Sequence, residues 1–432
     1  MTLQDLFVTP IYLLLLLGLA YYLRPFATDH KTRKYYYPAL LLKFFGAIAV
    51  GLIYQFYYGG GDTFTYFHLG SKHVHDAFMN DPFVGLSMIF GNMEYTPENF
   101  EYAQQIYTYG DSASYAVVRF ASFFDIFTFH TYLATALLFA ALSFTGIWMT
   151  YLVFVGYYPR YSRQLAWSIL FFPSLFFWGS GLLKDTITLA AVGWLFYGIV
   201  QIGKGGVRLI PNLVLVLIAA YTLFVIKIYI LICLLPALGF WFFIRYQTKV
   251  RNQVLRILIV PVLVLLGIGS AYGIGLYLGE FEGRYSLENV IYTAEQTAKW
   301  NYYVSNRDGG SGYSLGDYDF STSGLVRKFL PAVGTTFFRP FLWEVRNPVM
   351  LLAAMENTLI LSLVLICIRR YSNWKILIKE PLLTFCIVFA ILFSFAIGVT
   401  TYNFGSLVRY KIPMLVFFVP TIYLMSRRRL II

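Results

Sequence analysis

Tyr57-Tyr58-Gly59-Gly60-Gly61-Asp62-Thr63-Phe64-Thr65-Tyr66-Phe67-His68 stands where a long apolar run ends and the first long polar segment begins. Three glycines in succession permit an abrupt turn with positive φ or a close backbone approach. An acid follows at once, at the boundary of the apolar run. Two readings are open for Asp62: a solvated residue beyond a helix cap, or a reactive carboxylate held at a membrane boundary. The chain on either side bears on that choice.

Of the 432 residues, 59% are hydrophobic and 12% charged, and the mean hydropathy is +0.65. Soluble domains carry about 25% charged residues, so the composition is that of a polytopic membrane protein. The net charge of +12 comes from 33 Lys+Arg against 21 Asp+Glu. Most of that excess lies in short loops between apolar runs, where it reports orientation. No aromatic-rich basic patch stands outside those loops, so nucleic acid is not a partner. Cys233, Cys367 and Cys386 all sit in apolar runs without Cys-x-x-Cys spacing, which indicates neither disulfide nor zinc. The N-terminus has no basic n-region and no small-residue cleavage site, so the first apolar run is expected to be a retained span. Aromatics are abundant, with 41 Phe and 36 Tyr, as suits interfacial belts and grooves for isoprenoid chains or sugars.

Apolar runs near the crossing length of about 17–25 residues predict an all-α, polytopic transmembrane helical bundle of about 11 spans in one domain, 1–432. They fall at 8–23, 38–58, 128–156, 165–182, 186–203, 208–225, 228–245, 256–279, 348–368, 381–399 and 410–426. The break between the sixth and seventh rests on Lys227 and the aromatic-rich turn before it. Every second loop is basic. Arg24, Lys31, Arg33 and Lys34 fill the first, Arg160 and Arg163 the next, then Lys204 and Arg208. Arg245, Lys249, Arg251 and Arg256 follow, then Arg369, Arg370, Lys375 and Lys379, and finally Arg427, Arg428 and Arg429. The positive-inside bias makes these loops cytoplasmic, with the N-terminus outside and the C-terminus cytoplasmic.

Two long segments then face outward, 59–127 and 280–347. The first is acidic, and its apolar pattern (Phe78, Phe83, Leu86, Ile89, Phe90, then Phe100, Tyr102, Ile106, Tyr107) suits short amphipathic helices on the membrane surface. The second contains Asn306-Arg307-Asp308-Gly309-Gly310-Ser311-Gly312, a turn-rich loop expected to be mobile.

With that topology, polar clusters from distant parts of the chain reach one membrane face. They are Asp62; Lys184-Asp185; Lys227; Phe338-Arg339-Pro340-Phe341-Leu342-Trp343-Glu344-Val345-Arg346-Asn347; and Tyr402-Asn403-Phe404-Gly405-Ser406-Leu407-Val408-Arg409-Tyr410-Lys411. Lys184, Lys227, Arg339, Arg346, Arg409 and Lys411 run against the positive-inside bias, and a cation at membrane depth costs about 2.5–3.5 kcal/mol. A phosphate or diphosphate headgroup accounts for them, arginine as a fork and lysine as a point charge. The alternative for each is snorkelling or an internal pair, such as Lys184 with Asp185 or Arg339 with Glu344.

Other constellations are weaker. His68, His73, His75 and Asp76 have letters that suit a metal, but His73 and His75 do not share a helix face, so they read as surface histidines. Neither a metal nor another cofactor is indicated. Gly267, Gly269, Gly273 and Gly275 sit inside a span, where small residues serve helix packing. No hydrolase or ATPase motif is present.

An acid directly after a span, opening a first large outer loop with amphipathic juxtamembrane segments, resembles the GT-C superfamily of integral-membrane glycosyltransferases. Phe-Pro-Ser-Leu-Phe-Phe-Trp-Gly-Ser-Gly-Leu-Leu-Lys-Asp, Phe-Phe-Arg-Pro-Phe-Leu-Trp-Glu and Asn-Phe-Gly-Ser-Leu-Val-Arg-Tyr-Lys-Ile-Pro also resemble bacterial membrane proteins of polysaccharide gene clusters. Thr63 and Phe64 follow Asp62, a departure from the paired-acid form of the motif, and an extra N-terminal span precedes the family's first helix. The resemblance implies a polyprenyl-phosphate-linked sugar as donor, a glycan, lipid or protein as acceptor, and transfer at the outer face of the cytoplasmic (inner) membrane. Asp62 then serves as general base. Lys184, Arg339 and Arg409 meet the leaving phosphate, with Lys227 and Lys411 beside them and Asp185 next to Lys184. Glu344 orients Arg339, and Tyr402 or Trp343 stacks on sugar or isoprenoid.

Three rival readings stay open. A polymerase or ligase joining lipid-linked glycans makes Arg339 and Arg409 primary. A transporter or lipid flippase predicts interrupted helices in corresponding positions of two repeats and ionisable residues near mid-membrane; the sequence shows neither, since its charges cluster at one face, with Lys43 the one apparent exception. A scaffold subunit predicts outer cations paired internally.

Overall fold

The computed structural model describes residues 1–205, 208–246, 292, 295–303, 311–316, 321–370 and 380–427. The expected span 256–279 with its glycines, the loop residues 306–310, and several basic loop residues (Lys249, Arg251, Arg256, Lys375, Lys379, Arg428 and Arg429) lie outside them. The regular elements are helices, and among the described residues the one β-type contact is an isolated antiparallel bridge between Gly312 and Asn403. Seven described helices are long and apolar enough to cross a membrane, or eight if a bent pair counts as one more. The residues cluster into two compact units, Met1–Ile228 and Tyr229–Ile431.

In the first unit, α1 (Leu3–Ala27) and α2 (Arg33–Phe56) precede the acidic segment. That segment folds into α3 (Asp62–Tyr66), a π-helical turn (Phe67–Ser71), α4 (Lys72–Asn80), α5 (Pro82–Phe90), α6 (Phe100–Ala103) and α7 (Ser112–Thr128). The helices α8 (Tyr132–Tyr157), α9 (Ser162–Ile169), α10 (Pro173–Phe177) and α11 (Lys184–Gly203) follow. At the centre, α8 and α11 lie backbone to backbone, because a Cβ on Gly193 would fall 2.1 Å from the Gly146 carbonyl oxygen. Small residues permit that approach. By contrast α1 is peripheral, with most of its apolar side chains exposed and a stripe through Asp5, Thr9 and Ala20 buried. Its Asp5 carboxylate nevertheless accepts from the Leu133 amide at 2.8 Å and satisfies the first turn of α8.

The acidic segment has its own core, in which Phe67, Val74, Met88, Ala103, Tyr115 and Val118 are buried together with Tyr132 of α8 and Ile187 of α11. Its outer side keeps Phe83, Phe90 and Tyr107 exposed, so these short helices are amphipathic. They pack against the ends of α8 and α11 nearest Tyr132 and Lys184.

The run 165–182 is not the single span its hydropathy predicts. Pro173 has no amide to continue a helix, and it holds Phe172 extended at φ −74°, ψ 128°. The result is two short helices and a buried turn, Trp178–Leu183. The runs 208–225 and 228–245 form α12 (Leu209–Tyr246), whose backbone leaves helical values at Lys227, with φ −150° and ψ 74°.

The second unit contains α13 (Thr322–Phe338), α14 (Pro348–Arg370), α15 (Pro381–Thr401), α16 (Phe404–Tyr410) and α17 (Ile412–Met425). Within the segment expected to be an outer loop, α13 is a helix packed tightly on α15. A Cβ on Gly398 would lie 2.6 Å from the Ala332 carbonyl oxygen, and Thr336 donates to the Ser394 carbonyl at 2.8 Å. The last apolar run is bent by 66° between α16 and α17, at Lys411.

Candidate active site

All three glycines of the opening stretch take positive φ, +66° at Gly59, +149° at Gly60 and +120° at Gly61. Gly61 meets a second demand, since a Cβ there would lie 2.8 Å from the Tyr54 ring. Its carbonyl accepts from the Phe64 and Thr65 amides, both at 3.0 Å, and so starts α3 with Asp62 as the first residue. Thr63 and Tyr132 share a buried hydroxyl–hydroxyl bond of 2.7 Å, and the Phe64 ring packs on Tyr132 at 4.8 Å. The backbone beneath Asp62 is therefore pinned to α8 while its carboxylate is exposed.

Lys184 opens α11 directly after the buried turn. Its ammonium stands 3.5 Å from Asp111 Oδ2, and the charges of Lys227 and Asp62 also act on it. Asp111 caps α7, accepting from the Ala113 amide at 3.3 Å and from the Ser114 hydroxyl. Burial alone would raise its pKa, but the Ser114 bond, the Lys184 charge and the Ala113 amide outweigh it and hold the carboxyl below its usual 3.8. Asp185 is bound by Lys227 at 2.5 Å, with 1% and 6% of the two side chains exposed. Asp62, Lys184-Asp185 and Lys227, three of the sequence-predicted clusters, thus meet at one end of the first unit. An internal pair of Lys184 with Asp185, the alternative to phosphate binding, is not found among the described residues. Adjacent residues on a helix point apart, so each takes its partner from another element.

The remaining predicted residues belong to the second unit. Arg339 makes a fork with Glu344, its Nε donating to Oε1 at 2.9 Å and to Oε2 at 3.1 Å. Glu344 also accepts from the Phe341 amide at 2.8 Å. The guanidinium lies 5.1 Å from the Phe404 ring centroid. Glu344 therefore orients Arg339, and in doing so occupies its fork. Trp343 is 80% exposed and stacks on Phe341 at 4.7 Å. Tyr402 is fully buried in a left-handed conformation (φ 47°) and stacks on Tyr313 at 5.6 Å, so Trp343 rather than Tyr402 offers a free aromatic face. Lys411 is buried and donates to Asn357, which faces the bend. The Arg409 guanidinium lies 5.8 Å from the Tyr410 ring centroid.

One feature was missed from the sequence. Phe129 and His130 both adopt left-handed backbone, φ 54° and 53°. This turn brings His130 Nδ1 within 2.7 Å of buried Asp125, which also accepts from Ser71 at 2.8 Å. His130 lies flat on Phe67 at 4.5 Å, with His75 5.5 Å away. Nothing in the letters signals this turn. Among the described residues no three His, Cys, Asp or Glu side chains are grouped to hold a metal ion. Lys43, the ionisable residue that the sequence sets near mid-membrane, is buried in α2.

No family model matches the chain, and neither a curated protein nor a solved structure does.

Proposed function

We propose that the chain transfers a sugar from a polyprenyl-phosphate-linked donor to a hydroxyl acceptor at the outer face of the cytoplasmic membrane. The observation that carries this reading is Asp62: an exposed carboxylate on a rigidly pinned backbone, at the end of the apolar helices, beside the half-buried ammonium of Lys184. Asp62 takes the proton of the acceptor hydroxyl, whose oxygen attacks the anomeric carbon. The bond from that carbon to the phosphate oxygen breaks, and polyprenyl phosphate leaves with the electron pair. Lys184 stabilises the growing phosphate charge. Its link to Asp111 is long and partly solvated, so a phosphate can compete for the ammonium. Lys227 is committed to Asp185 and acts on Lys184 from behind. Arg339 and Arg409 are cations of the second unit, and Trp343 is an exposed aromatic face there. The basic loops support an N-terminus outside and a C-terminus in the cytoplasm.

The test is transfer in proteoliposomes at saturating donor. Asp62→Asn is expected to lower turnover about 10²–10⁴-fold, the usual contribution of a general base. Full turnover in that variant overturns the reading.

A second reading, transport of a lipid-linked anion, is favoured by one observation. Apolar runs are interrupted at residues 170–183, at Lys227 and at Lys411, and interrupted helices line transporter sites. Donor moved across the bilayer with no acceptor present supports transport over transfer.

A further inference from the structure

Lys43 lies ten residues into α2, inside an apolar helix, and is 2% exposed. Its ammonium donates to Ser143 Oγ at 2.9 Å, to the Leu175 carbonyl at 3.0 Å and to the Gly179 carbonyl at 2.6 Å. Three donors meet three oxygens, which leaves no proton to offer a ligand. The two carbonyls belong to the end of α10 and the turn after it, where a helix that stops leaves acceptors without amides. In an apolar surrounding such acceptors need a donor, and Lys43 is that donor.

The rest of the seat agrees. Gly46, one turn along the same face of α2, lets the Phe176 carbonyl approach so closely that a Cβ would fall 2.1 Å from its oxygen. A Cβ on Gly179 would fall 2.5 Å from Leu189 Cδ2 and 2.6 Å from the Leu175 carbonyl oxygen, with the Lys43 nitrogen 3.2 Å away, so the turn needs a bare backbone there. From there the chain runs Ser180-Gly181-Leu182-Leu183, with the Thr186 hydroxyl closing onto the Gly181 carbonyl, and delivers Lys184 and Asp185.

We propose that Lys43 is a positioning residue that seats the Trp178–Leu183 turn on α2 and thereby sets Lys184 against Asp111 and Asp185 against Lys227. The proposal rests on the transferase reading only for the use to which Lys184 is put; the seating itself is independent of it.

Two variants disturb the seat from different sides. Lys43→Met removes the donors, and Gly46→Ala pushes on the Phe176 carbonyl with Lys43 intact. Both are expected to speed amide exchange in residues 178–186 several-fold while α8 stays protected. Both are also expected to weaken binding of a polyprenyl phosphate in detergent micelles by about tenfold. A residue that acts through Lys184 has no further effect once Lys184 is gone. Affinity is therefore expected to be the same in Lys184→Met and in Lys43→Met/Lys184→Met. Losses that add in the double variant, or unchanged exchange at 178–186, overturn the proposal. If Lys184→Met alone leaves the affinity unchanged, the transferase reading loses its phosphate-binding lysine, and the exchange measurement still decides the role of Lys43. Should Lys43→Met fail to fold, Ser143→Ala removes one acceptor only and is expected to give the same local exchange on a smaller scale; no change there counts against the seat.

Discussion

The Lys184 ammonium reaches Asp111 at 3.5 Å, while Asp185, its neighbour in sequence, is held by Lys227 at 2.5 Å. The two pairs differ in burial, with 23% and 46% side-chain exposure in the first and 6% and 1% in the second. Solvent screens the first pair, so Asp111→Asn is expected to cost no more than about 1 kcal/mol through the ion pair itself. Asp185→Asn leaves a buried ammonium without its counter-charge and is expected to cost about 3–5 kcal/mol. Thermal unfolding of the purified variants in one detergent checks the order. Equal losses would show that the second pair is solvated.

Gly61 and Gly59 share positive φ but differ in surroundings. Nothing lies within 4 Å of a Cβ on Gly59, and its φ of +66° is one that asparagine adopts. Gly61 combines φ +120° with the Tyr54 ring at 2.8 Å. Gly59→Asn is expected to keep full stability, and Gly61→Ala to lose about 1–3 kcal/mol along with the placement of Asp62. Unfolding midpoints and turnover of the two variants provide the comparison.

In the second unit the Arg339–Glu344 fork is a planar, two-point contact. Lysine cannot reproduce it. Arg339→Lys is expected to destabilise the turn before α14 by about 1–3 kcal/mol, the range for a charged hydrogen bond lost. Limited proteolysis between residues 339 and 347 reports that loosening, and unchanged cleavage would show that the fork does not hold the turn.

Much of the fold is legible because hydropathy follows from burial in a bilayer: the runs at 8–23, 38–58, 128–156, 186–203, 348–368 and 381–399 each overlap one long helix over most of their length. The interruption at 170–183 is less so, since its residues are as apolar as any span. Only Pro173 and the glycines 179 and 181 mark it, and what makes it tolerable is Lys43, far away in sequence. Helix α13 was hidden because Arg327 and Lys328 depress the hydropathy of an otherwise largely apolar stretch. At the site, Asp62, Lys184 and Lys227 stood out as charges at apolar boundaries. Their partners did not, because Asp111 becomes a neighbour of Lys184 only after the acidic segment has folded back on α11.

Acidification is expected to weaken the first unit in two separate windows. Burial holds the His68 and His73 imidazoles below their usual 6.5; the His130 and Lys72 charges add to this, while Asp5 opposes it at His68 and Asp76 at His73. A lowered histidine pKa means that the unfolded chain binds the proton first, so stability is full above 6.5 and falls as pH drops through that value toward the folded ones. Asp111 behaves as a depressed acid: its contribution is full above 3.8 and is lost as pH falls through its lower folded value. Between the windows little should change. Unfolding midpoints measured from pH 8 to pH 3 are expected to show a first decline below 6.5 that His68→Asn/His73→Asn abolishes. A second decline below about 4 is expected to persist in that variant. A first decline that survives the double substitution would place the responsible proton elsewhere.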